Sequence, residues 1–169
     1  MENKALTNDK IRYGSYHMPI FQKYFRKYNE ANTWIMKKLF LTLYKCFSFL
    51  YKVEIPLSTK IGDGLYIGHP YCITINEKVT IGTNCNIHKG VTLGQENRGT
   101  KKGCPKIGND VWIGINSTIV GKIKIGDDVL IAPNSYINTD VPSHSVVLGN
   151  PCKIIQKNNA TESYINNRC

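Results

Sequence analysis

An aliphatic residue returning every six positions constrains this chain more than any other feature. Ile61, Ile67 and Ile73 keep that interval; after a two-residue slip it resumes at Ile75, Ile81, Ile87 and Leu93. A second run takes it up at Ile107, Ile113, Ile119, Ile125, Ile131 and Ile137, with Gly or Ala after four of these six. An amphipathic helix has a period near 3.6 and a strand a period of 2, so neither produces this beat. A repeat of this length builds a hexapeptide β-helix, in which each unit is a short strand and a turn and stacked coils share one core. Four residues after each opener comes a smaller inward position: Leu65, Tyr71, Val79, Cys85, Val91, Val111, Ser117, Ile123, Val129, Ser135 and Val141. Three units close one triangular coil, and coils stack at the strand spacing of about 4.8 Å. The expected fold is all-β, a parallel β-helix with a short α-helical N-terminal arm.

The 169 residues suit one domain with an appendage. Three segments are expected: a basic, mainly helical arm over 1–52, the β-helix over 53–155, and a polar, loosely ordered tail over 156–169. Residues 1–52 hold ten Lys and Arg against three acids, +7 of the chain's formal +10. Within the arm, Asn32 or Thr33 is a candidate cap for a helix reading WIMKKLFLTLYKCFSFLYK, apolar around most of its circumference. Lys37, Lys38 and Lys45 break it into uncharged pieces far shorter than the roughly 20 residues a bilayer span needs. The favoured reading packs this helix across the open end of the solenoid or against another copy. The alternative is a helix lying at an anionic membrane surface. No nucleic-acid reader motif accompanies the charge. MENKALTNDK does not resemble a signal peptide, so a cytoplasmic location is expected, with possible peripheral contact at the inner membrane face. The six cysteines lack CxxC spacing and read as reduced thiols. No His/Cys cluster or acidic loop has metal-ligand spacing, so no metal is expected.

Between Gly94 and Pro105 the rhythm stops, and GQENRGTKKGCP must leave the prism as an external loop, 94–105. After Val141 the repeat ends, and SHSVVLGNPCKII reads as a short closing strand with Gly149 and Pro151 at a turn.

The stretch EIPLSTKIGDGLYIGHPYCITINEKVTIG, the segment GVTLG with its loop, PKIGNDVWIG, and VPSHSVVLGNPCKII together resemble the catalytic part of the serine O-acetyltransferase family. The match runs from about Glu54 to Ile155 and includes the slip after Ile73. The resemblance implies a left-handed β-helix, acetyl-CoA as co-substrate, and a trimer with sites between neighbouring prisms. It places His69 on the family's general-base histidine and Glu54 on the aspartate that partners it. His88 is the rival base. It implies backbone N–H donors near Gly94 and Gln95 for the oxyanion, a cofactor groove past Gly114, Ile115, Ala132 and Pro133, and a CoA phosphate contact at Lys153. Gln95, Ile115 and Pro133 are each larger than the family's small residues.

At the acceptor rim the chain leaves its relatives. Serine-specific members have an aspartate before the histidine and an Arg-His pair ending the loop; here those places hold Gly68, Gly103 and Cys104. A free amino acid presents two charges, which are costly to bury without counter-charges. The acceptor expected from this rim is a sugar hydroxyl of a surface polysaccharide or exopolysaccharide, with Tyr66, Tyr71 and Asn97 available for stacking or hydrogen bonds. The alternatives are serine O-acetyltransfer in cysteine biosynthesis and a non-catalytic hexapeptide scaffold.

Overall fold

Short strands must be joined by sharp corners, and the sequence prepares them. Asn84, Asp110 and Asp128 on one prism edge, and Asn116 and Asn134 on the next, all have positive φ. Asn and Asp tolerate this left-handed backbone better than other side-chain-bearing residues, so the chain turns there without glycine. The structure is a computed structural model describing residues 4–169. Met1, Glu2 and Asn3, the start of the segment read for a signal peptide, lie outside the described residues.

Three helices come first: α1 (Lys4–Tyr13), α2 (Ile20–Glu30) and α3 (Trp34–Tyr51). The first coil is β1 (Lys60–Ile61), β2 (Tyr66–Gly68) and β3 (Thr74–Ile75), and the second β4 (Thr80–Ile81), β5 (Asn86–His88) and β6 (Thr92–Gly94). The third is β7 (Lys106–Ile107), β8 (Val111–Ile113) and β9 (Thr118–Val120), and the fourth β10 (Lys124–Ile125), β11 (Val129–Ile131) and β12 (Tyr136–Ile137). β13 (Ser145–Leu148) and β14 (Lys153–Gln156) follow. They form three sheets: β1-β4-β7-β10, β2-β5-β8-β11-β13-β14 and β3-β6-β9-β12. All neighbours are parallel except β13 and β14. This is the expected parallel β-helix.

The register locates both irregularities. Val129 lies opposite Val111, one regular coil of eighteen residues. Asn86 lies opposite Tyr66, twenty on, yet Thr92 lies opposite Thr74, again eighteen. The two extra residues therefore fall between β2 and β3, at His69 and Pro70. Thr118 lies opposite Thr92, twenty-six on, and the surplus of eight is the external loop. The slip corrects one inward assignment. Tyr71 is 49% exposed, and Ile73, fully buried, fills the small inward slot in its coil. Counting by six straight through the insertion put Tyr71 inside. The other ten inward positions are buried. Cys85 is among them, and burial pushes its thiol up to about 12, which leaves it a small inert hydrophobe.

A first coil has no coil beneath it, and its backbone groups need partners from elsewhere. Here α1 and α2 supply them from side chains. Arg26 donates to the carbonyls of Ile61 (2.8 Å) and Gly62 (2.6 Å), and Arg12 to that of Gly64 (3.0 Å). Asp9 accepts the Leu65 N–H, Gln22 donates to the Leu65 carbonyl, and the Tyr13 hydroxyl accepts the Ile67 N–H. Asp9 is fully buried and paired with Arg26 at 2.8 Å. Burial pushes its carboxyl up while the bonds from Arg26, Gln22 and Leu65 pull the other way. The helix that the favoured reading placed across the open end is not what covers it: α1 and α2 do, and the sequence did not single them out. α3 is the helix that it did. Thr33 caps it, accepting the Met36 N–H, and Phe40, Tyr44 and Ser48 face the core. Its opposite side leaves Trp34, Ile35, Leu39, Phe49 and Leu50 exposed. No described helix is long and apolar enough to cross a membrane.

At the other end the closing strand is a hairpin, with β14 antiparallel to β13. The tail, expected to be loose, is docked. Asp128 accepts the N–H groups of Ala160 and Thr161 and the Thr161 hydroxyl, Arg168 pairs with Asp110 at 2.9 Å, and Cys169 bonds Asn84. The tail runs along the prism edge ahead of β5, β8 and β11, held by the same Asn and Asp residues that turn the corners.

Candidate active site

The residues singled out from the sequence fall on two different prism edges. The first follows the sheet of β2, β5, β8, β11 and β13. Gly68 is in register with His88, Ile113 with Ile131 just before Gly114 and Ala132, and Leu148 with Lys153. One position further round the corner stand His69, Ile115 and Pro133. Hydrogen bonds tie this edge from coil to coil, from Lys89 N–H to Gly68 O and from Asn134 N–H to Ile115 O. His69 and Lys153 thus lie at opposite ends of one file, five strand spacings or roughly 24 Å apart along the axis. Gly114 answers first to packing: a Cβ there would meet the Pro133 nitrogen at 2.6 Å.

His69 owes its position to the insertion. It is exposed, its φ is 51°, and its carbonyl accepts the Tyr71 N–H at 2.7 Å. Left-handed backbone is uncommon outside Gly, although His adopts it more readily than most residues, and Lys52, Cys72 and His144 share it here. Glu54 stands on the neighbouring face. It bridges Thr74 as an extra rung beside β3, and lines an apolar groove of about 740 Å³ between α3 and that sheet. No hydrogen bond or ion pair joins Glu54 to His69 among the described residues. The pairing that the resemblance implies is not made within one chain.

The second edge follows the sheet of β3, β6, β9 and β12 and carries Gly94, Gln95, Gly103 and Cys104. The loop folds as a small hairpin: Glu96 and Gly103 exchange both backbone bonds at 2.9 Å, and Gly103 needs its φ of 136° to do so. At its root the Gln95 side chain bonds Asn97, and the half-buried Cys104 thiol lies 3.3 Å from the Asn76 side-chain oxygen. Within one chain the full width of the sheet separates this loop from His69.

Gly68 and His88 form a matched pair. A Cβ at Gly68 would meet His88 Cδ2 at 2.5 Å and Nε2 at 2.8 Å, so the imidazole occupies the space that any side chain at 68 would take. His88 Nδ1 is 2.9 Å from the Ile113 carbonyl, which can only accept, so in the neutral ring the proton is on Nδ1 and the lone pair on Nε2. Burial lowers the His88 pKa, the Ile113 bond opposes this, and nearby His69 lowers it further, leaving a neutral ring at pH 7. The sequence raised His88 only as a rival base. Its fit against Gly68 is a relation between coils that no local motif carries. Among the described residues no group of three His, Cys, Asp or Glu side chains is placed to hold a metal ion.

Residues 104–139 match the family of bacterial transferase hexapeptide proteins (six repeats). Serine acetyltransferase 2 of Arabidopsis thaliana is 37% identical over 120 residues, 71% of this chain and 37% of the relative. Soybean serine acetyltransferase in complex with serine superposes with a TM-score of 0.65 at 29% identity, over 80% of this chain and 54% of that one. A serine acetyltransferase in complex with CoA does so with a TM-score of 0.63 at 30% identity, again over 80% and 54%. The coil region is serine acetyltransferase-like. The chain spans only about a third to a half of the lengths of these proteins. Gly68 lies on one edge of the prism and Gly103 and Cys104 on the other, and at Gly68 the His88 ring takes the space of a side chain.

Proposed function

We propose that the protein is an acetyl-CoA-dependent O-acetyltransferase whose site forms between two chains, the His69 edge of one meeting the loop edge of the next. The observation that carries this reading is the division of the candidate residues between two edges of one prism. A closed ring of three identical wedges puts each first edge beside a second one. The His69 imidazole takes the proton of the acceptor hydroxyl as its oxygen attacks the thioester carbonyl, then delivers it as the C–S bond breaks and the CoA thiol leaves. The oxyanion needs donors already aimed at it. The Gln95 N–H at the loop root, with no partner among the described residues, suits that role beside Gly94. Apolar Ile115 and Pro133, with small Gly114 and Ala132, offer the pantetheine arm a track, and the Lys153 ammonium at its end suits a phosphate. Glu54 joins the site from the groove that it lines.

The comparisons favour L-serine as acceptor, since the relatives are serine acetyltransferases and one neighbour is a serine complex. A second reading, a saccharide hydroxyl, rests on the rim: no charge stands at Gly68, Gly103 or Cys104, and a neutral imidazole fills the first of these places. The deciding assay follows CoA thiol release from acetyl-CoA with L-serine and with a panel of sugars and oligosaccharides. His69→Ala should cut turnover on the true acceptor at least about a hundredfold; full activity in that variant removes the reading. The exposed apolar side of α3, with Lys38, Lys45 and Lys52 beside it and no acid along it, suits contact with an anionic inner membrane face. The division into arm, solenoid and tail follows from the same reading, as does a cytoplasmic trimer; a stable monomer in light scattering would remove the shared site.

A further inference from the structure

Beside Gly68, on the outer face of the six-stranded sheet, a second cavity opens between the end of α1 and the C-terminal tail. Its volume is about 300 Å³, at the small end of ligand cavities and enough for one sugar ring. Five rings run across it in unbroken contact: Tyr13, Tyr66, His88, Trp112 and Tyr164, with successive centroids 4.7, 6.4, 4.6 and 5.1 Å apart. The polar wall is already fixed. Arg12 spends its guanidinium on Gly64 O and the Asn86 side chain, Asn86 donates to Tyr164 O, and the Tyr13 hydroxyl bonds Gln22 and Ile67.

What remains open is uncharged. His88 Nε2 and the amides of Asn166 and Asn167 have no hydrogen-bond partner among the described residues, and all three line the cavity. No carboxylate lines it to answer an ammonium, and its one cation is engaged. Ring faces, amide groups and a lone-pair acceptor match a neutral polyhydroxylated ring, which offers C–H faces to aromatics and O–H groups to acceptors. A zwitterion would be left without its counter-charges.

We propose that this cavity binds one pyranose ring of a saccharide acceptor, with His88 Nε2 accepting a hydrogen bond from a sugar hydroxyl and Trp112 lying against the ring. Since Gly68 separates His88 from His69, the bound saccharide lies next to the proposed base. His88 is then a positioning residue for the acceptor and not a second base. This rests on the saccharide reading of the acceptor.

The chain has two tryptophans, Trp34 and Trp112. In the full-length Trp34→Phe variant, Trp112 reports on the cavity alone. The experiment screens that variant on a glycan array, then titrates its fluorescence with the best-bound glycan, with D-galactose, N-acetyl-D-glucosamine and lactose, and with L-serine. A saturable change is expected with at least one saccharide and none with L-serine. His88→Gln and, separately, the exposed Asn167→Ala should each weaken that binding by about fivefold or more, with the CoA-induced thermal shift unchanged. If no saccharide changes the fluorescence while CoA still stabilises the fold, the cavity proposal is overturned and acetyl transfer stands. If CoA does not stabilise the fold either, acetyl transfer itself has failed. If both substitutions leave saccharide affinity intact, the sugar binds elsewhere and the proposal is overturned.

Discussion

The two ends of the solenoid meet the same problem in opposite ways. Each exposes a row of backbone donors and acceptors with no further coil to pair with. At the C-terminal end the chain turns back on itself, and β14 pairs with β13 through four residue pairs from Ser145–Gln156 to Leu148–Lys153. Backbone satisfies backbone there, whatever the side chains. At the N-terminal end Arg26, Arg12, Asp9, Gln22 and Tyr13 stand in for the missing coil. A backbone solution tolerates substitution, whereas a side-chain solution places the edge in the hands of individual residues.

The sharpest way to break the contrast is Asp9→Ala. It removes the carboxylate paired with the buried Arg26 guanidinium and leaves the Leu65 N–H without its acceptor, and removing one partner of a buried pair is expected to destabilise by about 3–5 kcal/mol. Urea unfolding measures this; a loss below about 1 kcal/mol would mean that water replaces the carboxylate and the cap is not what holds the edge. Tyr13→Phe is the next step down. It strips only the hydroxyl from the Ile67 N–H and from Gln22, for an expected loss of about 1–3 kcal/mol by the same method. Asp128→Ala tests the tail, which is held by side chains although it lies toward the backbone-paired end. It should raise hydrogen exchange over 157–169 and leave the coils protected. Exchange rising equally in the coils would mean that the tail carries the end of the solenoid. Ile155→Thr, at an exposed position on β14, should change stability by less than about 0.5 kcal/mol.

The Gly68–His88 contact adds a dependence on pH. Burial holds the folded imidazole below its usual 6.5, so the native protein resists the proton that the unfolded chain accepts. Its contribution is therefore complete above about pH 6.5 and is lost as pH falls through the lower folded value. Melting curves between pH 7.5 and about 5 should show a drop that His88→Gln reduces; an unchanged slope in that variant would assign the drop to other groups.

What the sequence disclosed follows from what a repeat can disclose. The openers must be aliphatic because each fills the same narrow prism, so their period and both breaks in it are written plainly. The external loop was legible as a gap in that period. Tyr71 was misplaced because a two-residue insertion keeps the count by six alive for one unit longer than the structure does. α1 and α2 left little pattern because their polar side chains answer backbone groups some 35 to 56 residues away. The docked tail was hidden for a similar reason: its anchors, Asp110, Asp128 and Asn84, read only as corner residues. Of the candidate site, the residue identities came from a resemblance and their grouping on two edges from register. The fit of His88 against Gly68 needed coordinates.

That grouping has a genetic consequence. If one site takes His69 from one chain and the loop from another, a chain lacking only the histidine and a chain lacking only the loop are each inactive alone, yet neither defect is complete in a mixture. Co-refolding His69→Ala with a loop-deleted chain in equal amounts would give rings in which about a quarter of the sites receive an intact half from each parent, by random closure of a three-membered ring. The two inactive alleles would complement each other inside one oligomer. Heterozygous defects would then be partial, and the unit on which selection acts would be the junction between two copies and not the folded chain.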